Sequence, residues 1–281
     1  MSKRKNYLNN RDILAEIHKS KCNHSVFSDE LYKDYDIIVH SFDEIPESVH
    51  EAKINRAKKI SQSNLVEAKQ QDPVTKASDV EIDHSQITTE DIVFRVMTWD
   101  HIPDNLERKK TKKTIADSKE KVNFPPFQHW KYQNGDLVCV GKSHWTGELH
   151  NGEFTTMSGK ATDKLALMWL KLIDRYSSRG NVRSYSYLDE MKNQAIIQLA
   201  HTGLQFDESK SNNPFAYYSQ IITHSFVKII NMEKRQQDIR DDILEIKGFS
   251  PSNTRTTNHE WQSELRRNGE SDVGYSVGNQ K

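Results

Sequence analysis

The residues best suited to chemistry lie between Asn213 and Arg235, in NPFAYYSQIITHSFVKIINMEKR, where three aromatic rings open a helix-like run that ends basic. At 100° per residue, Phe215, Ile222, Phe226, Ile229 and Ile230 share one side, with Tyr218 at its margin. Tyr217, Gln220, His224, Lys228, Asn231 and Arg235 share the other. Every member of the second row can donate a hydrogen bond, and two are fixed cations. Cations neutralise phosphates and rings offer stacking platforms to unpaired bases, so this row predicts contact with nucleic acid. Core packing alone explains the apolar row, and a polar row is also what the wet back of an ordinary core helix looks like.

Other groupings carry less. His18, Cys22 and His24 lie close together, but no further ligand pair stands at zinc spacing. Cys139 with His144 and His150 has the types of a nucleophile and a base, and equally those of a small hydrophobe among surface histidines. No P-loop or dinucleotide fingerprint occurs. The sequence therefore predicts a chain that is not an enzyme and needs no cofactor or metal.

The bulk numbers set the frame for these residues. Of 281 residues, 35% are hydrophobic and 28% charged, and the formal net charge is zero. With a mean hydropathy of -0.84, the chain is too polar to pack throughout into one core. A zero total does not exclude nucleic acid, because clustering matters: KRK at 3–5, ERKKTKK at 107–113 and EKR at 233–235 are local positive runs. The alternative for each run is a solvated face. Two isolated cysteines make no disulfide framework, which fits a reducing cytoplasm. No stretch approaches the ~20 apolar residues of a membrane span, and no secretion signal opens the chain.

The elements follow from local pattern. Residues 1–20 predict a docking helix capped by Asn9 or Asn10, with Ile13, Leu14 and Ile17 as its stripe. Residues 21–121 read as a charged, partly mobile insertion, within which VHEAKINRAKKISQSNLVEAKQ looks helical and DIVFRVMTW reads as a strand or a short helix. Residues 122–160 predict a small aromatic-bearing β element, with hairpin turns at Asn134-Gly135 and Asn151-Gly152 and strands in DLVCV and EFTTM. Residues 161–247 carry helical periodicity, with stops at Gly180 and Gly203 and a third helix capped by Asn213 with Pro214 first. Residues 248–281 read as a tail.

Taken in order, LIDRYSSRGNVRSYSYLDEM, FDESK and NPFAYYSQIITHSF resemble helical region 2 of bacterial sigma factors. They are similar above all to the late-transcription sigma factors of T-even-like bacteriophages, especially those of marine cyanobacterial phages. NYLNNRDILAEI resembles the start of those proteins. The likeness covers roughly residues 5–20 and 140–240, and the stretch between reads as an insertion. It implies a mostly α fold: a compact bundle like sigma region 2, with a small β-hairpin element and a long, partly irregular N-terminal insertion.

The resemblance also implies partners. The family binds the RNA polymerase core and directs it to a short AT-rich element just upstream of the start, here in the cytoplasm of an infected bacterial host. Asp189 and Glu190, with Lys192 and Gln194 beside them, match the dock on the β′ coiled coil; an acidic first turn favoured by the helix dipole is the other reading of the same residues. Phe206, Asp207, Lys210 and Phe215 match a pocket for a flipped adenine of the non-template strand, and Tyr217 and Tyr218 match the melting face. His224, Lys228, Lys234 and Arg235 complete the DNA-binding set, the cations meeting phosphates. Departures are visible too. Tyr218 and Ser219 stand where primary sigma factors have two tryptophans, and Ile222 stands at their duplex-reading glutamine. The C-terminal SDVGYSVGNQK lacks the apolar-acidic motif with which T-even relatives bind the sliding clamp. An accessory or anti-sigma-type protein that docks on polymerase without touching DNA is the alternative.

Overall fold

The computed structural model describes residues 8–104, 121–156 and 159–267. The chain divides into two compact units, Met1–Thr223 and His224–Lys281. Helices predominate, accompanied by a five-stranded mixed sheet. None of the helices, among the described residues, is long and apolar enough to cross a membrane.

Helix α1 (Asn10–Cys22) begins where the Asn9 side chain accepts the Asp12 N–H at 2.7 Å. Ile13 and Ile17 are fully buried, as the stripe predicts. The helix also buries polar residues, and each has a partner. Glu16 takes Lys164 at 2.9 Å and the Thr162 hydroxyl at 3.1 Å, while the Ser20 hydroxyl accepts the Thr162 N–H at 3.0 Å.

The sheet draws three of its strands from residues 21–121, the stretch read as a charged, partly mobile insertion. Strands β1 (Ser25–Phe27), β2 (Ile37–Val39), β3 (Phe94–Val96), β4 (Gln128–Gln133) and β5 (Asp136–Ser143) form one sheet in the order β1-β5-β4-β3-β2. β2 runs parallel to β3, and the other neighbours are antiparallel. Helix α2 (Ile45–Gln71) packs Ile45, Ala52 and Ala57 with Val39, Ile87, Ile92, Phe94 and Val96, a continuous apolar core. The small β element expected at 122–160 supplies two strands of this larger sheet and a separate two-stranded hairpin, and DIVFRVMTW contains a strand. Residues 105–120 of that expected insertion, with the whole ERKKTKK run, lie outside the described residues.

Asn134 (φ 52°) and Gly135 (φ 91°) turn the β4–β5 hairpin with both central residues left-handed, as Asn-Gly predicts. The second hairpin joins β6 (Trp145–Thr146) to β7 (Glu153–Phe154), and here Gly147 (φ 86°), not Gly152, takes the left-handed conformation. In the sheet, the buried Arg95 guanidinium lies 3.8 Å from the Tyr35 ring centroid and 4.0 Å from that of Phe127. Its Nε donates to His129 Nε2 at 3.0 Å. An arginine cannot accept, so His129 is the neutral tautomer whose Nδ1–H donates to the Tyr32 carbonyl at 2.7 Å.

Helix α3 (Asp163–Ser177) is capped by Thr162 and buries Leu165, Met168, Trp169, Leu172 and Ile173. It ends at Ser178 in right-handed conformation, before Gly180, so Gly180 is not the stop. Helix α4 (Leu188–Thr202) buries Met191, Ala195 and Leu199 against α3. Gly203 follows it, where a Cβ would stand 2.4 Å from a Trp169 ring carbon; close helix approach requires this glycine. Helix α5 (Pro214–Ile246) starts at Asn213, whose side chain accepts the Ala216 N–H at 3.1 Å. Within residues 248–281, read as a tail, Gly248 (φ 77°) turns the chain into helix α6 (Asn253–Arg267). In that second unit Asp241 accepts the Ser252 N–H at 2.9 Å and its hydroxyl at 2.6 Å, which fixes the turn. Residues 268–281, with the clamp-motif comparison, lie outside the described residues.

Candidate nucleic-acid and polymerase interface

The loop between α4 and α5 is held from below by α1. Lys21 is buried, and its Nζ donates to the Phe206 carbonyl at 2.6 Å and to Glu208 Oε2 at 2.5 Å. Burial pushes the ammonium below its ordinary pKa, and the Glu208 carboxylate works in the other direction. Asp207 is half-buried and accepts the Ser209 N–H at 3.0 Å, with Lys210 Nζ at 3.4 Å. Burial opposes the Asp207 charge, but these contacts outweigh it and hold the carboxyl below its usual range. Lys210 is exposed, and the Phe215 N–H donates to Asn10 Oδ1 at 3.1 Å. The two asparagines at the N-terminus thus serve different helices, Asn9 capping α1 and Asn10 the first turn of α5.

The aromatic residues separate into two kinds. Phe206 is 3% exposed and Tyr218 is 0% exposed, so neither offers a ring face to a base, and both are corrected to core residues. Tyr218 sits edge-on to Trp169 with centroids 5.6 Å apart, and the Trp169 ring fills the space that Gly203 leaves by lacking a side chain. Its margin position on the helical wheel already allowed this outcome. Phe215 and Tyr217 remain half-buried. The Tyr217 hydroxyl donates to the Thr202 carbonyl at 2.8 Å and the Tyr218 hydroxyl to the Gly203 carbonyl at 3.1 Å. These two carbonyls are among those a helix end leaves unpaired. Burial raises the pKa of both phenols, which stay neutral donors.

Asp189 and Glu190 are exposed in the first turn of α4, where the helix dipole favours them. Lys192 is half-buried and pairs with Asp174 of α3 at 3.1 Å, and Gln194 is half-buried. The same two packed helices expose Leu167, Leu170 and Ile197, apolar residues that helical periodicity did not single out. The available signal was their position outside the buried stripe: leucines at 167 and 170 gain nothing from the core.

In the second unit, His224, Lys228, Asn231, Lys234 and Arg235 are all exposed. None of the three cations has an ion-pair partner among the described residues. Lys228 and Arg235 repeat after two turns, about 10 Å along the axis, a spacing able to meet phosphates on an extended backbone.

The remaining groupings are dispersed. His18 Nε2 lies 3.5 Å from Cys22 Sγ, while His24 instead accepts the Lys160 N–H at 2.8 Å. Among the described residues no group of three or more histidines, cysteines and carboxylates is arranged to hold a metal ion. Cys139 Sγ faces the Gly141 carbonyl and burial raises its pKa, while His144 Nε2 faces the Phe124 carbonyl. No family model, no curated protein and no solved structure matches this chain.

Proposed function

We propose that this chain is a promoter-specificity subunit of the late phage sigma type, which binds the host RNA polymerase core and helps it open a TATA-like late promoter. The observation that carries the reading is the ordered series LIDRYSSRGNVRSYSYLDEM, FDESK and NPFAYYSQIITHSF, which runs from the end of α3 through the start of α4 and the loop after it to the first turns of α5. In this reading Asp189 and Glu190, with Lys192 and Gln194, dock on the β′ coiled coil. Charged hydrogen bonds at an exposed helix start suit a reversible assembly, and exposed Leu167, Leu170 and Ile197 add apolar area to it.

Base capture then falls to Phe215 and Tyr217, the half-buried rings, with Asp207 and Lys210 beside them in the loop. Phe206 and Tyr218 support these rings from inside and do not touch DNA. Lys228, Lys234 and Arg235 neutralise phosphates, with His224 as a further donor. Opening A·T steps costs least, and stacking on protein rings returns part of the cost. The reading needs no catalytic group or cofactor on this chain, and locates it in the cytoplasm of an infected bacterium.

Burial of Phe206 and Tyr218 favours one second reading. With fewer free rings, the chain is a polymerase-docking accessory or anti-sigma-type protein that leaves DNA alone. Run-off transcription by purified core enzyme on a late-type promoter separates the two. A sigma gives promoter-specific transcripts only when the chain is added, and Tyr217 crosslinks to the non-template strand of a bubble template. No transcript and no crosslink, with core binding intact, establishes the accessory role instead.

A further inference from the structure

The second unit leaves an apolar seam in solvent. On α5, Met232, Ile239, Ile243 and Ile246 are between 45% and 85% exposed. With exposed Gln236 they advance in alternating steps of three and four residues, which is the seam pattern of a coiled coil with one polar layer. The seam is not the face that α6 uses. The turn before α6 bonds to Asp241, about 180° around the helix from Met232, and Arg255 of α6 reaches Asp242 at 2.6 Å and Glu245 at 3.1 Å.

Charges flank the seam in a pattern that chooses a partner. Arg235 and Asp242 lie on one flank, seven residues apart, and Glu233 and Arg240 lie on the other. We propose that the seam pairs with the seam of a second copy of this chain, in antiparallel orientation. Antiparallel helices bring each flank against the same flank of the partner. Arg235 then faces Asp242 of the second copy and Glu233 faces its Arg240, each twice by symmetry. Met232 packs on Ile243 of the second copy, and Gln236 packs on its Ile239. A parallel pair gains Asp242 opposite Lys247 but opposes Arg235 to Arg240, two cations, across the middle of the seam, whereas both of the antiparallel flank pairs are opposite in sign. Asp242 keeps more than half of its side chain in solvent while bound to Arg255, which fixes it on the flank where the partner's Arg235 arrives. Two heptads are too few for tight association, so the dimer forms as protein concentration rises. Arg235 also belongs to the proposed phosphate-binding row, so pairing and DNA contact compete for one helix.

Sedimentation equilibrium of the full chain, from low micromolar to near-millimolar protein, tests the proposal. It contains neither polymerase nor DNA, so its result is independent of the sigma reading. The wild type should pass from monomer to dimer mass, and Ile239→Lys should stay monomeric with an unchanged circular dichroism melt. Arg235→Asp and Asp242→Arg should each weaken the dimer by about fivefold or more. The double variant should return to within about twofold of wild type, because the exchanged pair is again opposite in sign. A wild type that is monomeric throughout, a dimer that Ile239→Lys leaves intact, or a charge exchange that does not rescue would overturn the proposal.

Discussion

Lys21 and Glu208 meet inside the first unit, ammonium to carboxylate at 2.5 Å, although 187 positions separate them in the chain. The contact ties the end of α1 to the loop that precedes α5, and with it the backbone of Phe206. Removing one member leaves the other charge buried without compensation. Lys21→Met should therefore cost about 3–5 kcal/mol in urea unfolding, whereas Lys21→Met with Glu208→Leu should cost clearly less than the two single changes summed. A Lys21→Met chain as stable as the parent would show that the ammonium contributes nothing to the fold.

The buried histidines set the acid limb of stability. Burial is the first cause in each case: it lowers His18 to about 3 and both His101 and His144 to about 4, and it takes His129 well below its ordinary value. The unfolded chain binds these protons near pH 6.5 while the folded chain refuses them. Their contribution is therefore fully present above about pH 6.5 and is lost as pH falls toward 4, at roughly 1.4 kcal/mol per group per pH unit at most. Asp36, raised by its burial, works with the opposite sign but is a single group. Urea midpoints should fall steeply between pH 7 and pH 5. Replacing His144 with Gln, which keeps a donor for the Phe124 carbonyl, should flatten the slope. A pH-independent midpoint over this range would mean that the imidazoles titrate normally.

What the sequence reveals here is what short-range physics decides. The Asn213 cap, Pro214 and the Asn134-Gly135 turn are all settled within four residues, and each forms as predicted. The sheet is invisible for the converse reason. β2 and β3 are three residues each, too short to show alternation, and they pair in parallel across more than fifty positions. α6 buries no residue of its own, so it has no apolar period to read, yet Ser252 and Asp241 start it. The candidate site is legible in its polar part, since His224, Lys228 and Arg235 are exposed where a wheel puts them, and Asp189, Glu190 and Lys234 are exposed too. Its aromatic part is not. Whether Tyr218 faces out depends on Trp169 and on the missing side chain at Gly203, neither of which periodicity can report.

Gly203 and Gly180 both follow helices, and only one of them is sterically required. A methyl group at Gly203 would press on the Trp169 ring at 2.4 Å, while at Gly180 nothing lies within 4 Å of the added carbon. Gly203→Ala should destabilise the first unit by about 1–3 kcal/mol through overpacking. Gly180→Ala should be neutral or stabilising by about 0.4–1 kcal/mol, because it restricts only the unfolded chain. Thermal melts of the two variants in the same buffer decide this, and equal melting points would mean that Trp169 yields without cost.

In the proposed sigma reading, Phe215 separates DNA opening from polymerase docking. Its ring is half-buried at the start of α5, so truncation removes stacking area without opening the core around Tyr218 and Ile222, which are buried. One stacked base is worth about 1–3 kcal/mol, which corresponds to roughly fivefold to 150-fold in the population of open complex. Phe215→Ala should therefore lower permanganate reactivity of promoter thymines by that factor while its retention on immobilised core polymerase stays unchanged. Asp189→Lys with Glu190→Lys should do the reverse: loss of retention on the core and, on a pre-melted bubble supplied with excess protein, recovery of much of the activity. All three positions are exposed or half-buried, so the melting temperature of each variant should stay close to that of the parent. A Phe215→Ala chain that opens promoters as well as the wild type would remove the base-capture role and leave the docking role standing alone.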